Sequence, residues 1–366
     1  MDINKLANPG ALRTKVYVPG KSKQEVAREL GLKEIIKMAS NESALGASPR
    51  AKEAYAALTE ELNIYPDAVS RDLRKKLSEK LGCSADEITV SNGADGVIYN
   101  LGMAIVKEGD EAIIPKVTFP LYETIVKVMR GTPIYTGMNG YRIDLKKIEE
   151  AITGNTKVIY LCNPNNPTGD AQEREAVRSF LSKVPEHILV VVDEAYIDFT
   201  SPETDPGTIE LFNGGMKNLF ILRSFSKIYG LAGVRIGYGI GHEDIISLIH
   251  QIKPPFNVSI VGERVALAAL DDRDYVTATL KEMEEEKQKF YKTFEDFGLD
   301  YVKSHTNFIL FDAGRDAKSV FEEILKRGVI VRPCNGFGLP TSIRVSIGTP
   351  KENDTFLSIL KEVLKP

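Results

Sequence analysis

The chain is short of the residues that build metal centres and disulfide frameworks. Its 366 residues hold three cysteines, Cys83, Cys162 and Cys334, an odd number with no C-x-x-C pair. That excludes a disulfide scaffold and a zinc ribbon. Of four histidines only His242 and His250 are close in sequence, and their spacing builds no metal site. No metal is expected. Long apolar runs are also missing: the longest aliphatic stretch, Ile188–Val192, falls far below the roughly 18 residues of a membrane-spanning helix. The first residues alternate polar and apolar, with Pro9 and Gly10 among them, and lack the apolar segment of a secretory signal. Cytoplasm is therefore the expected compartment. An excess of positive charge is missing as well. Lys+Arg number 47 against 51 Asp+Glu, a net charge of -4, with no basic block to neutralise a run of phosphates, so nucleic acid is not an expected partner.

What is present is ordinary globular usage, 43% hydrophobic and 27% charged, in a chain long enough for two domains. From Asp86 to about Gly241 short β-rich runs alternate with helical stretches. This is the rhythm of βαβ units around a mostly parallel sheet. The expected strands are Ile88–Ser91, Glu111–Pro115, Lys157–Cys162, Ile188–Asp193, Leu219–Leu222 and Arg235–Ile240. Several are apolar at consecutive positions, as strands covered by helices on both faces require. After Pro254-Pro255 the pattern changes to charged helices, including Lys281–Phe294, and strands at Asn307–Phe311, Val329–Arg332 and Ser342–Ile347. The division read from this is an arm and joining segment over 1–45, a large domain over 46–255 and a small α/β domain over 256–366.

In open α/β sheets ligands sit beyond the carboxyl ends of the strands. Four such ends carry chemistry. Ser91 leads into Asn92-Gly93-Ala94-Asp95-Gly96 and a helix, whose backbone N–H groups suit a phosphate. Cys162 leads into Asn163-Pro164-Asn165-Asn166-Pro167-Thr168-Gly169, a rigid turn carrying three amides. Ile188–Val192 ends in Asp193-Glu194-Ala195-Tyr196, a carboxylate and a phenol. The fourth end is Arg223-Ser224-Phe225-Ser226-Lys227, followed by Arg235 eight residues after the lysine. Taken singly, a plain turn, a helix-capping Asp or an exposed lysine explains any of these except the Asn/Pro turn. Together they supply an anion cradle, a carboxylate, a phenol, an amide and an amine. That inventory suits pyridoxal 5'-phosphate, whose aldehyde needs an amine, whose ring nitrogen needs a counter-charge and whose phosphate needs donors.

Asn-Pro-Asn-Asn-Pro-Thr-Gly from Asn163, Asp-Glu-Ala-Tyr from Asp193 and Ser-Phe-Ser-Lys-Ile-Tyr-Gly-Leu-Ala-Gly-Val-Arg from Ser224 resemble the fold-type-I pyridoxal-phosphate aminotransferases, class I/II. Tyr17-Val18-Pro19-Gly20-Lys21, Ala39-Ser40-Asn41-Glu42, Tyr65-Pro66-Asp67 and the stretch from Arg332-Pro333 to Thr349 resemble the histidinol-phosphate aminotransferase branch. The resemblance implies a large domain with a mostly parallel central sheet between helices, plus a smaller α/β domain. It implies that Lys227 forms an aldimine with the cofactor, that Asp193 pairs with the pyridinium nitrogen, and that Tyr196 and Asn166 bond the ring's O3'. It implies phosphate contacts from the backbone at Ala94 and Asp95, from Ser224, Ser226 and Arg235, and from Tyr65 of a second subunit, hence a homodimer. It implies that Phe119 stacks on the ring where a tyrosine is common, while Ala44 stands where the branch usually has proline. It also implies that Arg344 holds the acidic group of the substrate, with Tyr17, Asn41 and Arg332 lining the rest.

The expected reaction is ping-pong transamination between L-histidinol phosphate and 2-oxoglutarate, in histidine biosynthesis. Two further readings share the cofactor motifs: an aromatic amino-acid aminotransferase and a threonine-phosphate decarboxylase-like enzyme. A non-catalytic cofactor sensor needs a DNA-binding domain, for which roughly 40 residues before the first motif leave no room.

Overall fold

The structure is a computed structural model that describes residues 1–16 and 20–364. Seven strands form the central sheet: β1 (Ile88–Ser91), β2 (Glu111–Pro115), β3 (Thr132–Thr136), β4 (Thr156–Cys162), β5 (Leu189–Asp193), β6 (Leu219–Ser224) and β7 (Gly237–Ile240). Their order is β1-β7-β6-β5-β4-β2-β3. From β6 to β3 every pair is parallel, and β7 alone runs against its neighbours β1 and β6. The consecutive apolar positions are explained by burial on both faces. Ile159 and Leu161 of β4 and Val190 and Val192 of β5 join a core with the helices Arg71–Leu81, Arg174–Lys183 and Ile260–Ala269. Val158, Tyr160 and Cys162, with Leu189 and Val191, face the helices Ala94–Ile105, Leu121–Val128 and Glu243–Ile252. Each such Val, Ile or Leu contributes about 1.5–3 kcal/mol when taken out of water.

Two strand readings change in the large sheet. The sequence reading assigns no strand to Thr132–Thr136, yet it closes the sheet at one edge beside β2. Pro133 masks it in the sequence. An edge strand tolerates a residue that cannot donate to the ladder. The run Arg235–Ile240 begins as a strand only at Gly237, because Arg235 takes a left-handed backbone (φ 58°).

A smaller sheet places β10 (Ser342–Ser346) between β8 (Phe308–Asp312) and β9 (Arg332–Pro333), antiparallel to both. The single strand read over Val329–Arg332 is split. Val329–Ile330 pairs in parallel with Ile36–Lys37 from the beginning of the chain, and Arg332-Pro333 joins β10. Met38 packs into the same small core as Phe311, Val345 and Phe356, while Val26 and Ala39 pack with Leu325 and Ile330. On the other side, Val258, Val265, Ala266, Ala269 and Leu270 belong to the core of the large sheet, beyond Pro254-Pro255. The helix Arg273–Asp296 then runs from one core to the other: Val276 and Leu280 lean on the first, Met283, Phe290 and Phe294 on the second.

Candidate active site

The carboxyl ends of β1, β4, β5 and β6 meet along one edge of the sheet, where the small sheet abuts them. At the end of β4 the turn from Asn163 contains cis peptides before Pro164 and Pro167. Most of its amides hold the turn itself. Asn163 Oδ1 accepts from Gln172 N at 2.8 Å, and Asn165 donates to Val117 O and Thr168 Oγ1 while accepting from Thr118 Oγ1. Only Asn166 looks into the site. Its Oδ1 accepts from Arg344 Nη1 at 2.5 Å.

Strand β5 delivers Asp193, which is 5% exposed. Oδ1 accepts from Ala195 N at 3.0 Å and Oδ2 from Tyr122 Oη at 2.5 Å. Burial pushes its carboxyl up to about 6, against the opposing pull of the Tyr122 hydrogen bond. The adjacent Glu194 turns away to pair with Arg223 at 2.8 Å and with Thr208, so it takes no part in the site. Tyr196 is also buried. Its Oη accepts from Asn41 Nδ2 at 2.9 Å, and its ring meets Phe308 edge to face.

Beyond β6 the loop is anchored by Phe225 and Ile228, both fully buried in the large core, which leaves Ser226 and Lys227 on the site side. Lys227 Nζ lies 5.3 Å from the Tyr196 ring centre and donates to Asn41 O at 3.3 Å. Ser224 Oγ accepts from Ser226 N at 3.1 Å. The left-handed turn at Arg235 sends its guanidinium back to Asp95 Oδ2 at 3.2 Å, at the start of the helix Ala94–Ile105. Gly93 caps that helix with φ 88°, and a Cβ there would lie 2.5 Å from Arg235 Nη2. The first N–H groups of the helix, including those of Ala94 and Asp95, have no intrahelical acceptor. Serines, arginine and helix start thus form a cradle in which a side chain at position 93 would displace the Arg235 guanidinium and strain the backbone.

From the small sheet comes Arg344, 6% exposed, which also donates to Ala39 O at 2.8 Å and lies over the Phe308 ring. Arg332 is its direct partner in the β9–β10 register. Asn41 is held by Ser346 and Asn307, with Asn307 Nδ2 donating to the same Asn41 carbonyl that receives Lys227.

The structure therefore links Lys227, Tyr196 and Asn41, and Arg344 with Asn166, near the strand ends that also carry Asp193, Ser224, Ser226, Arg235, Ala94 and Asp95. Phe119 meets Tyr122 edge to face at 5.7 Å. Tyr65 does not join them in this chain: it is 79% exposed and stacks on Phe256. Tyr17 lies outside the described residues. Tyr122, Asn307 and Ser346 were not singled out in the sequence. Tyr122 sits three residues after Phe119 in an amphipathic helix, where it reads as core, and core it is apart from its hydroxyl. Among the described residues no group of His, Cys, Asp and Glu is placed to hold a metal ion, and no helix is long and apolar enough to cross a membrane.

The sequence pattern of the family Aminotransferase class I and II matches residues 33–360. The chain belongs to that family. A histidinol-phosphate aminotransferase from Akkermansia muciniphila is 41% identical over 367 residues, covering 100% of both chains. Histidinol-phosphate aminotransferase 2 from Carboxydothermus hydrogenoformans is 42% identical over 352 residues, 96% of this chain and 97% of that one. Among solved structures, histidinol-phosphate aminotransferase from Sinorhizobium meliloti, in complex with pyridoxal-5'-phosphate, superposes with a TM-score of 0.87 at 28% identity over 95% of each chain. The fold of this aminotransferase is accordingly fold type I, with its mostly parallel sheet between helices. Its residues also fit the cofactor of that neighbour. A cradle of donors and a buried carboxylate that has no cationic partner among the described residues stand at neighbouring strand ends, and the loop after one of those strands carries an amine.

Proposed function

We propose that this aminotransferase converts L-histidinol phosphate, using 2-oxoglutarate as amino acceptor and pyridoxal 5'-phosphate as cofactor. The observation that carries the substrate is the cross-strand pair Arg332 and Arg344. Two guanidinium groups in register bring more than one positive charge to a dianionic phosphate, and a guanidinium fork fits phosphate or carboxylate bidentately. One residue, Arg344, thereby serves both half-reactions. The roughly 40% identity to proteins named for the same activity supports the reading.

When bound, the cofactor supplies an aldehyde that exchanges amino groups and a ring that withdraws electrons from the substrate's Cα. Lys227 is the attachment point. Its Nζ would also be the group that moves the proton taken from the substrate's Cα. Asp193 faces the ring nitrogen and keeps it protonated. Tyr196 and Asn166 bond O3', with Asn166 Nδ2 as donor because its Oδ1 serves Arg344. Ser224, Ser226, Arg235 and the N–H groups of Ala94 and Asp95 hold the phosphate, and Phe119 covers the ring. Tyr17, Asn41 and Arg332 complete the substrate's surroundings.

The working form is a cytoplasmic homodimer in which Tyr65 reaches the partner's phosphate. Exposed apolar side chains at Tyr55, Leu62, Ile64, Tyr65 and Phe256 support this, since a surface patch of that kind marks an interface. Within each subunit, residues 1–45 act with the small domain, and the helix Arg273–Asp296 links it to the large one. A half-reaction assay tests the substrate: histidinol phosphate should convert the bound cofactor's absorbance to the aminated form, and 2-oxoglutarate should restore it. Conversion by phenylalanine but not by histidinol phosphate would replace this reading with the aromatic one. Carbon dioxide release without an oxo acid would replace it with the decarboxylase.

A further inference from the structure

Asp193 is surrounded by groups that offer it little help as an anion. Those that face it are Tyr122 from the helix Leu121–Val128, Cys162 at the end of β4, Asp95 from the helix Ala94–Ile105, and Glu194 on its own strand. The two carboxylates repel it, although each is engaged elsewhere, Asp95 with Arg235 and Glu194 with Arg223. Cys162 is completely buried, which pushes its thiol up and keeps it neutral, and its Sγ is directed to Pro164 O. Two donors remain, the Ala195 N–H on Oδ1 and the Tyr122 hydroxyl on Oδ2.

The Tyr122 hydroxyl is fixed by its ring. The side chain is 0% exposed, stacks flat on Tyr160 with centroids 4.7 Å apart, and receives Phe119 edge-on. Phe119 covers one side of the site, so a single aromatic cluster connects the group that would stack on the ring with the carboxylate that would face its nitrogen. Burial and the neighbouring Asp193 charge hold the phenol well above its usual range, so it stays protonated and acts as a donor only.

We propose that Tyr122 is a positioning residue that holds Asp193 ionised and fixes the plane of its carboxylate, through the hydrogen bond to Oδ2, for the ring nitrogen of the cofactor. The inference rests on the cofactor reading above, in which Asp193 faces that nitrogen. Tyr122 and Ala195 each hold one oxygen and so restrain the rotation of the carboxylate. Removing the hydroxyl leaves the ring stack intact and takes away one of two donors to a buried charge. The carboxyl then holds its proton to a higher pH, and a protonated Asp193 cannot sustain a positive ring nitrogen.

The test separates Tyr122 from the cofactor. In the cofactor-free chain, melting temperature is followed against pH for wild type, Tyr122→Phe, Asp193→Asn and the double variant. The Asp193-dependent part of the profile is the difference between each background and its Asn counterpart. Its midpoint, near pH 5 in wild type because the carboxyl titrates near 4 when unfolded and about 6 when folded, should move up by about half a pH unit in Tyr122→Phe, since losing one hydrogen bond to a charged group raises the folded value alone by about one unit. A packing role alone would lower the melting temperature equally at every pH. An unmoved midpoint overturns the proposal. Cofactor affinity, measured by fluorescence titration over the same pH range, should weaken in step with the moved midpoint. A midpoint that moves while affinity does not follow upholds the Tyr122–Asp193 pair but overturns Asp193 as the partner of the ring nitrogen.

Discussion

Replacing Asp193 with Asn should make the cofactor-free chain more stable while disabling the loaded enzyme. Burial lifts the Asp193 carboxyl from 3.8 to about 6. At pH 8 the folded chain must keep that group ionised at a cost of about 3 kcal/mol relative to the unfolded chain. The sign follows from proton counting. A carboxyl that titrates higher when folded binds more protons in the native state between about pH 4 and pH 6, so stability falls as pH rises through that window. Above it the cost is complete; below it the cost vanishes. An amide of the same shape carries no charge to desolvate, although it must still satisfy Tyr122 and the Ala195 N–H, so 3 kcal/mol is a ceiling. For a chain of this length that corresponds to a rise of roughly 4 °C at most in melting temperature. Scanning calorimetry of cofactor-free wild type and Asp193→Asn should show the variant melting higher at pH 8, with the gap shrinking to about half at pH 5. With cofactor bound the order should reverse, since the carboxylate then faces a cation. Turnover should fall by several orders of magnitude. A gap of equal size at both pH values, or a variant that melts lower at pH 8, would refute the argument that Asp193 is an uncompensated buried charge.

Borohydride reduction followed by peptide mapping should place the pyridoxyl label on Lys227; a label on any other lysine removes the assignment of the whole site. Arg344→Lys should impair both half-reactions, because an ammonium cannot span Asn166 Oδ1, Ala39 O and a substrate oxyanion together. Arg332→Ala should weaken histidinol phosphate more than glutamate in single-turnover measurements, and equal losses would count against the cross-strand pair as a phosphate site. Gly93→Ala should displace Arg235 and force a φ of 88° on an L side chain. It should lower cofactor affinity at least tenfold and stability by about 1–3 kcal/mol, read by titration and melting. Wild-type behaviour would show that the cradle is not closed at position 93.

Much of the large sheet and most of the site were legible in the chain itself. The apolar runs of β4 and β5 could only be strands covered on both faces, because consecutive side chains point to opposite sides of a sheet. A chain built that way carries its chemistry just past its strand ends, so Asp193, Tyr196 and Lys227 stand out by position and residue type, whereas Asn166 is singled out only by the resemblance. Local pattern has no access to direction or partnership. Asp193 and Glu194 are adjacent carboxylates in the sequence; only strand pairing decides that the first faces Tyr122 and the second faces Arg223. Asn163, Asn165 and Asn166 are equivalent amides until the turn engages the first two. Arg332 and Arg344 are twelve residues apart in sequence and become direct neighbours through the β9–β10 register. Tyr122 has the spacing of a core residue, and its role depends on a carboxylate 71 positions away. The start of the chain joins the small domain through a parallel pair, Ile36–Lys37 with Val329–Ile330, that no local propensity encodes. Periodicity and turn chemistry act over a few residues and so are written locally. Register, facing and the charge environment of a buried group arise from contacts between residues a dozen to some three hundred positions apart, which exist only once the chain has folded.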